Sequence, residues 1–257
     1  MSDFQAVGKP KKPDPHVTLL ADWIKGYQVG EDYDLYLAGV PLSKSSISFS
    51  GAHMHPKQFR ELWHSFTTYN WDEDLDLSFL RAADVGDVHM HLTDILRCHQ
   101  QIEKAAKELQ EALPEALACF IGGDHSITAP ILKGIKEVRK QRIGLIHFDA
   151  HLDVRDLSYG GPTNGTPIRN LIESGTIRGE DIVSIGLRSF ANTKNYRDYA
   201  EEKGIHLFSA KQVHQMGIQT ILKQAKERLQ ATCDVVYLTF DVDCLDARFV
   251  PGVPAVG

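Results

Sequence analysis

The order of apolar and amphipathic segments along the chain predicts an α/β domain, with a mostly parallel sheet and helices on both of its faces. Three observations carry that expectation. Short runs of strand length are almost continuously apolar, as in strands covered on both sides. Longer stretches of helical periodicity separate them, so consecutive strands are joined by crossovers. No fixed-period repeat or linker-like segment interrupts the alternation.

Taken in order, residues 1–15 are Lys/Pro-rich without apolar periodicity and read as a mobile arm ahead of one domain over 16–257. The apolar runs 33–40 (YDLYLAGV), 116–121 (ALACFI), 143–148 (IGLIHF), 182–187 (IVSIGL) and 235–240 (VVYLTF) read as strands, with a weaker one near 205–208. The stretch 95–113 places Ile95, Ile102, Ala105, Ala106, Leu109 and Leu113 on one helical face with charges opposite. Stretches 126–138, 191–203 and 213–229 follow the same pattern, and Gly204 reads as a helix stop.

Composition narrows the function. The 257 residues are 42 % hydrophobic and 24 % charged, the proportions of a folded enzyme. A net charge of −6 argues against a nucleic-acid binder, which needs a basic footprint. There is no apolar run of about 18 residues for a membrane span, and no apolar core for a signal peptide near the N-terminus. Cys98, Cys119, Cys233 and Cys244 stand far apart, which fits reduced thiols in a cytoplasm. Neither a GxGxxG nor a GxxxxGK[ST] pattern is present.

In parallel sheets ligands gather at the carboxyl ends of the strands. Here three strand ends carry reactive residues: Gly122-Gly123-Asp124-His125-Ser126, then Asp149-Ala150-His151-Leu152-Asp153, then Asp241-Val242-Asp243-Cys244-Leu245-Asp246. Alternate residues of an extended segment point the same way, so Asp149, His151 and Asp153 converge, as do Asp241 and Asp243. So many carboxylates at one point need a positive partner. Two divalent cations sharing carboxylates would supply it, and an oxygen-rich shell without thiolates suits Mn²⁺ better than Zn²⁺.

GGDHS, DAHLD and FDVDCLD resemble, in kind, order and interval, the three metal motifs of the arginase–agmatinase–formimidoylglutamase family, the ureohydrolases. The likeness runs from about Leu35 to the C-terminus. It implies a three-layer α/β/α sandwich and a cluster of two Mn²⁺ per subunit. One ion would be held by His125, Asp149, Asp153 and Asp241, the other by Asp149, His151, Asp241 and Asp243, with Asp149 and Asp241 bridging. Such a pair activates water for attack on the C=N carbon of an amidine or guanidine. Asp153 is then expected to move the proton, and Asp124 to orient its neighbour. The resemblance also implies a homo-oligomer.

Two local features distinguish the branches. Where arginases and agmatinases carry a proton-shuttling histidine, this chain has Asn164, in Thr163-Asn164-Gly165-Thr166-Pro167. An amide can bind substrate but has no useful pKa for shuttling. The tail Pro251-Gly252-Val253-Pro254-Ala255-Val256-Gly257 is similar to that of some bacterial formimidoylglutamases, and the early segment 39–48 (GVPLSKSSIS) points the same way. The expected reaction is hydrolysis of N-formimidoyl-L-glutamate to L-glutamate and formamide, a step of histidine degradation. Arg169 and Arg188 are the expected clamps on the glutamate carboxylates. His53, His55, His89 and His91 read as rim residues, and Cys244 as packing.

The resemblance further leads one to expect another helix–strand–helix unit beyond Gly257, with a Glu that anchors the amidine nitrogen. The domain is therefore read as lacking its C-terminal elements. Agmatine or another guanidino compound is the alternative substrate. A catalytically silent remnant that still binds metal is the alternative class of protein.

Overall fold

The computed structural model describes residues 14–254. The arm expected over 1–15 lies, but for its last two residues, outside the described residues, as does the tail 255–257. Among the described residues ten strands occur in chain order: β1 (Lys25–Gly26), β2 (Leu35–Val40), β3 (Tyr69–Asn70), β4 (Leu75–Asp76), β5 (Ala82–Asp87), β6 (Leu117–Gly122), β7 (Ile143–Phe148), β8 (Ile182–Leu187), β9 (His206–Ser209) and β10 (Val235–Phe240). The helices are α1 (Leu20–Trp23), α2 (His55–Leu62), α3 (Ile95–Ala112), α4 (Thr128–Arg139), α5 (Pro167–Glu173), α6 (Lys194–Glu202), α7 (Ala210–Met216) and α8 (Ile218–Gln230).

Two four-stranded sheets form, in the orders β1-β5-β2-β6 and β10-β7-β8-β9, and every pairing within them is parallel. β3 and β4 make a small antiparallel hairpin. The two large sheets meet where β10 approaches the end of β6. There the Thr239 hydroxyl lies 3.0 Å from His125 Nε2 and 3.1 Å from Thr128 Oγ1. Among the described residues no ladder pairing joins β6 to β10.

Alternation along single strands produces the three layers. Tyr36 packs with Ala83, Leu113 and Ala116, whereas its neighbour Leu37 packs on the opposite face with Ile24 and Trp63. Ile182 enters the large core that includes Ile131, Leu132 and Leu145. Val183 and Ile185 belong instead to a second core with Ile221, Ala225 and Leu229 of α8. Burial of whole Leu and Ile side chains on both faces, at about 1.5–3 kcal/mol each, is what holds helices to sheet.

Most expected elements form within a residue or two of their predicted limits; the short α1, β1 and β3–β4 hairpin were not expected, and further features differ. The stretch 213–229 is two helices, broken at Gly217, whose φ of 79° lies in the left-handed region. α2 and α5 were not expected; both are short and begin with Pro at the first or second position. β5 (AADVGD) was missed because its apolar content is low, although Ala82 and Ala83 are buried. β10 was read as covered on both faces, yet Val236, Leu238 and Phe240 are 41 %, 53 % and 46 % exposed. Its single described partner is β7.

Candidate metal centre and substrate cavity

Each of the three motif loops is turned inward by its own backbone. After β6, Gly123 passes so close to Val40 and Leu42 that a Cβ there would collide with both carbonyl oxygens. Asp124 then stops the strand. Its Oδ1 accepts from Ser126 N at 3.1 Å and its Oδ2 from Ser45 N at 3.1 Å, which aims His125 into the molecule.

After β7, Asp149 N donates to Ile185 O at 3.0 Å, and Asp149 Oδ1 accepts from His151 N at 2.6 Å. Asp153 takes a φ of 51°, and its carbonyl accepts from Ile168 N and Arg169 N at 3.2 and 3.4 Å, the first turn of α5. After β10, Asp241 Oδ1 accepts from Asp243 N at 3.1 Å, and Asp243 Oδ1 accepts from Ala150 N at 3.1 Å. The second and third loops are thereby tied together.

The donors converge on Asp149. His125 Nδ1 is 3.0 Å from Asp149 Oδ2, 2.8 Å from Asp153 Oδ2 and 3.6 Å from Asp241 Oδ2. His151 Nδ1 is 3.3 Å from Asp149 Oδ1 and 3.0 Å from Asp243 Oδ2. Two sets of potential metal donors result, His125–His147–Asp149–Asp153 and Asp149–His151–Asp243, with all donor atoms of a set within 4.8 Å of one another. Asp149, 1 % exposed, belongs to both.

Electrostatics and geometry both fit cations at this point. Burial opposes charge on Asp149, but His125, His147 and His151 outweigh it and hold its pKa well below the usual range. Burial also opposes an imidazolium at His125, and Asp149 and Asp153 outweigh it in the raising direction. Hydrogen bonding to Asp149 and Asp243 pushes His151 up to about 10, and burial, with the charges of Asp149 and Asp243, pushes Asp241 up to about 7. Protons are thus drawn into a cluster that divalent ions would neutralise without them. His125 Nδ1 is buried beside three carboxylates yet has no hydrogen bond of acceptable direction. A nitrogen and carboxylates that point at common space, not at one another, are arranged as co-ligands.

Of the expected metal ligands, His125, Asp149, His151, Asp153 and Asp243 fall in these sets. Asp241 falls in neither, although its Oδ2 lies 3.6 Å from His125 Nδ1. His147 escaped sequence reading because it sits inside the apolar run of β7. Its Nδ1 meets Ser184 Oγ at 3.0 Å and its Nε2 meets Asp149 Oδ2 at 2.9 Å, so both nitrogens are engaged in orienting Asp149. The period of two through residues 147, 149, 151 and 153 was the available signal.

His125, His151, Asp153, Asp241 and Asp243 line a cavity of about 200 Å³ together with Ser46, Ile47, Ser48, Arg155, Asn164, Asn192 and Tyr196. Asn164 also lines it, and its Oδ1 accepts from Ile47 N at 3.0 Å, fastening the serine-rich loop. The two arginines expected as carboxylate clamps do not line the cavity. Arg169 is neutralised by Asp156 at 2.9 Å and Glu173 at 2.6 Å and covers the Tyr199 ring. Arg188 donates from Nη2 to the carbonyls of Cys244 and Leu245 at 3.2 and 3.0 Å, while its backbone N donates to Ala150 O at 3.0 Å. It holds the second and third loops against each other. Cys244 joins neither donor set, and His53, His55 and His89 are exposed.

The sequence profile of the arginase family matches residues 33–257. The chain belongs to the arginase family. Among arginase-family relatives, the formimidoylglutamase of Halalkalibacterium halodurans is 42 % identical over 100 % of this chain and 81 % of its own length. The crystal structure of formimidoylglutamase from Bacillus subtilis superposes with a TM-score of 0.93 at 33 % identity, covering 100 % of this chain and 79 % of that one. Trypanosoma cruzi formiminoglutamase, solved with Mn²⁺, gives a TM-score of 0.84 at 25 % identity over 93 % of this chain and 80 % of that one. The three-layer arginase-like fold expected from the motifs is therefore the fold of this chain. Among the described residues no helix is long and apolar enough to cross a membrane.

Proposed function

We propose that this arginase-family chain hydrolyses N-formimidoyl-L-glutamate to L-glutamate and formamide, using two Mn²⁺ held at the centre described above. The observation that carries the reading is the convergence of three strand-end loops on Asp149, in a chain 42 % identical along its whole length to a formimidoylglutamase. His125, Asp149 and Asp153, with Asp241, would hold one ion; Asp149, His151 and Asp243, with Asp241, the other. Bound there, the ions would supply Lewis-acid polarisation and water activated at neutral pH.

The chain's own residues would do the rest. His147, backed by Ser184, fixes the rotamer of Asp149, and Thr239 fixes His125. Asp153, held in its left-handed turn by α5, would hydrogen-bond the attacking water and move its proton to the departing amine. Asn164 lines the cavity as a neutral hydrogen-bonding group where a shuttling histidine would favour guanidino substrates.

The test is to load the chain with Mn²⁺ and compare kcat/KM for N-formimidoyl-L-glutamate, agmatine and arginine, following formamide or urea release. A preference of at least about 100-fold for the formimidoyl substrate is expected. A higher value for agmatine would move the chain to the guanidino branch. Two bound ions without turnover of any of the three would make it a silent relative.

A further inference from the structure

We infer that Arg155 is the residue that recognises the substrate's carboxylate, and that it sets the preference of this cavity for anionic amidines. The inference rests on the hydrolase reading above and names the group that gives it specificity.

Among the described lysines and arginines, Arg155 alone lines the cavity that contains His125, His151, Asp153, Asp241 and Asp243. Most other arginines are already matched: Arg60, Arg142, Arg169 and Arg197 each meet a carboxylate within 2.8 Å. Arg155 makes no ion pair with any described residue. Its place is nonetheless defined. Its backbone N donates to Gly165 O at 2.9 Å, and its stem lies over Gly165 so closely that a Cβ there would collide with the Arg155 side chain. Its guanidinium stands 5.8 Å from the centroid of the Tyr196 ring, which also lines the cavity. The stem is therefore packed and the ring limits the swing of the head, while the donor edge of the fork remains unclaimed.

The chemistry of the cavity makes such a group necessary for an anionic substrate. Asp124, Asp153, Asp241 and Asp243 all line it; ions held at the cluster would be used up in offsetting these carboxylates, so a dianionic glutamate moiety needs a further cation, outside the cluster, to offset its own charge as it leaves water. A guanidinium donates two parallel N–H···O bonds to a carboxylate, which selects both charge and orientation. A cationic substrate tail such as that of agmatine meets the same guanidinium as a like charge and is rejected. Recognition by Arg155 thus accounts for both halves of the preference, without Arg169 and Arg188.

The test compares the Mn²⁺-loaded wild type with Arg155→Gln and Arg155→Lys on two substrates, N-formimidoyl-L-glutamate and the carboxylate-free N-propylformamidine. Binding of L-glutamate to each protein is measured by calorimetry. Arg155→Gln is expected to raise KM for the formimidoyl substrate roughly 10- to 100-fold with kcat within about threefold. Its kcat/KM for N-propylformamidine should stay within about threefold, Arg155→Lys should recover part of the loss, and glutamate binding should weaken in parallel. Equal losses on both substrates, or a change in KM below about twofold, overturn the inference and leave the hydrolase reading in place. A wild type that binds glutamate through Arg155 without hydrolysing N-formimidoyl-L-glutamate overturns the reading and keeps the inference.

Discussion

Strands β7 and β10 run side by side in unbroken register from Val235 opposite Ile143 to Phe240 opposite Phe148, and each ends in alternating metal-donor residues. Their support differs sharply. β7 is flanked by β8 and β10, and Ile143, Leu145 and His147 are buried. Among the described residues β10 pairs with β7 alone, and Val236 and Leu238 are exposed. The first donor of each loop follows this difference, the Asp149 side chain being 1 % exposed and that of Asp241 28 %, whereas the second is reversed, His151 being 31 % exposed and Asp243 8 %. The same Asp-x-donor spacing thus yields a rigid anchor on one strand. On the other it yields a pair of ligands whose placement depends on cross-ties, chiefly Arg188 to Cys244 and Leu245 and Ala150 to Asp243.

The strongest way to break the comparison is Asp149→Asn. Because Asp149 belongs to both donor sets, its loss should weaken Mn²⁺ binding by more than about 100-fold and abolish turnover. Asp241→Asn, measured by the same metal titration, should cost less. Equal losses would mean that Asp241, which is assigned to both ions above, is held as firmly as Asp149 despite its 28 % exposed side chain.

Packing provides the next test. Leu145→Ala should cost about 2–5 kcal/mol in denaturant unfolding, since Leu145 is fully buried. Leu238→Ala, at a position 53 % exposed, should cost under about 1 kcal/mol. A similar cost for both would show β10 to be as well covered in solution as β7.

Arg188→Gln should lower Mn²⁺ affinity roughly 10- to 100-fold by loosening the third loop, with fold stability little changed. If metal affinity stays put while only KM rises, Arg188 serves substrate and not the loop. The smallest expected effect is that of Thr239→Val, which removes the partner of His125 Nε2 and should cost no more than about tenfold in metal affinity. An unchanged titration would show that packing alone holds the ring.

The sequence was informative where a periodicity or a rigid strand end dictates the outcome. Period-two donors after apolar runs located the centre, and the covered parallel strands were legible from their composition. What it could not reveal is which polar groups are already spoken for. Arg169 and Arg155 look equivalent as letters, and only the folded chain shows that Asp156 and Glu173 neutralise the first while the second faces the cavity. His147 was hidden for the complementary reason: a polar residue inside an apolar run passes as strand until its partners Ser184 and Asp149 are seen. The division of 213–229 at Gly217 turns on one positive φ that helical periodicity does not register.

The left-handed backbone at Asp153 has a further consequence for how this protein can change. Few side chains tolerate that conformation, and asparagine and aspartate are among those that do. Asparagine can therefore replace Asp153 at little conformational cost while removing the charge the chemistry would use. β-Branched or bulky replacements would strain the turn that anchors α5 and be purged as folding defects. Mutational drift at this position is thus channelled toward a variant that folds, persists and does no chemistry, so the shape of one peptide decides which inactive descendants of the enzyme survive to be found.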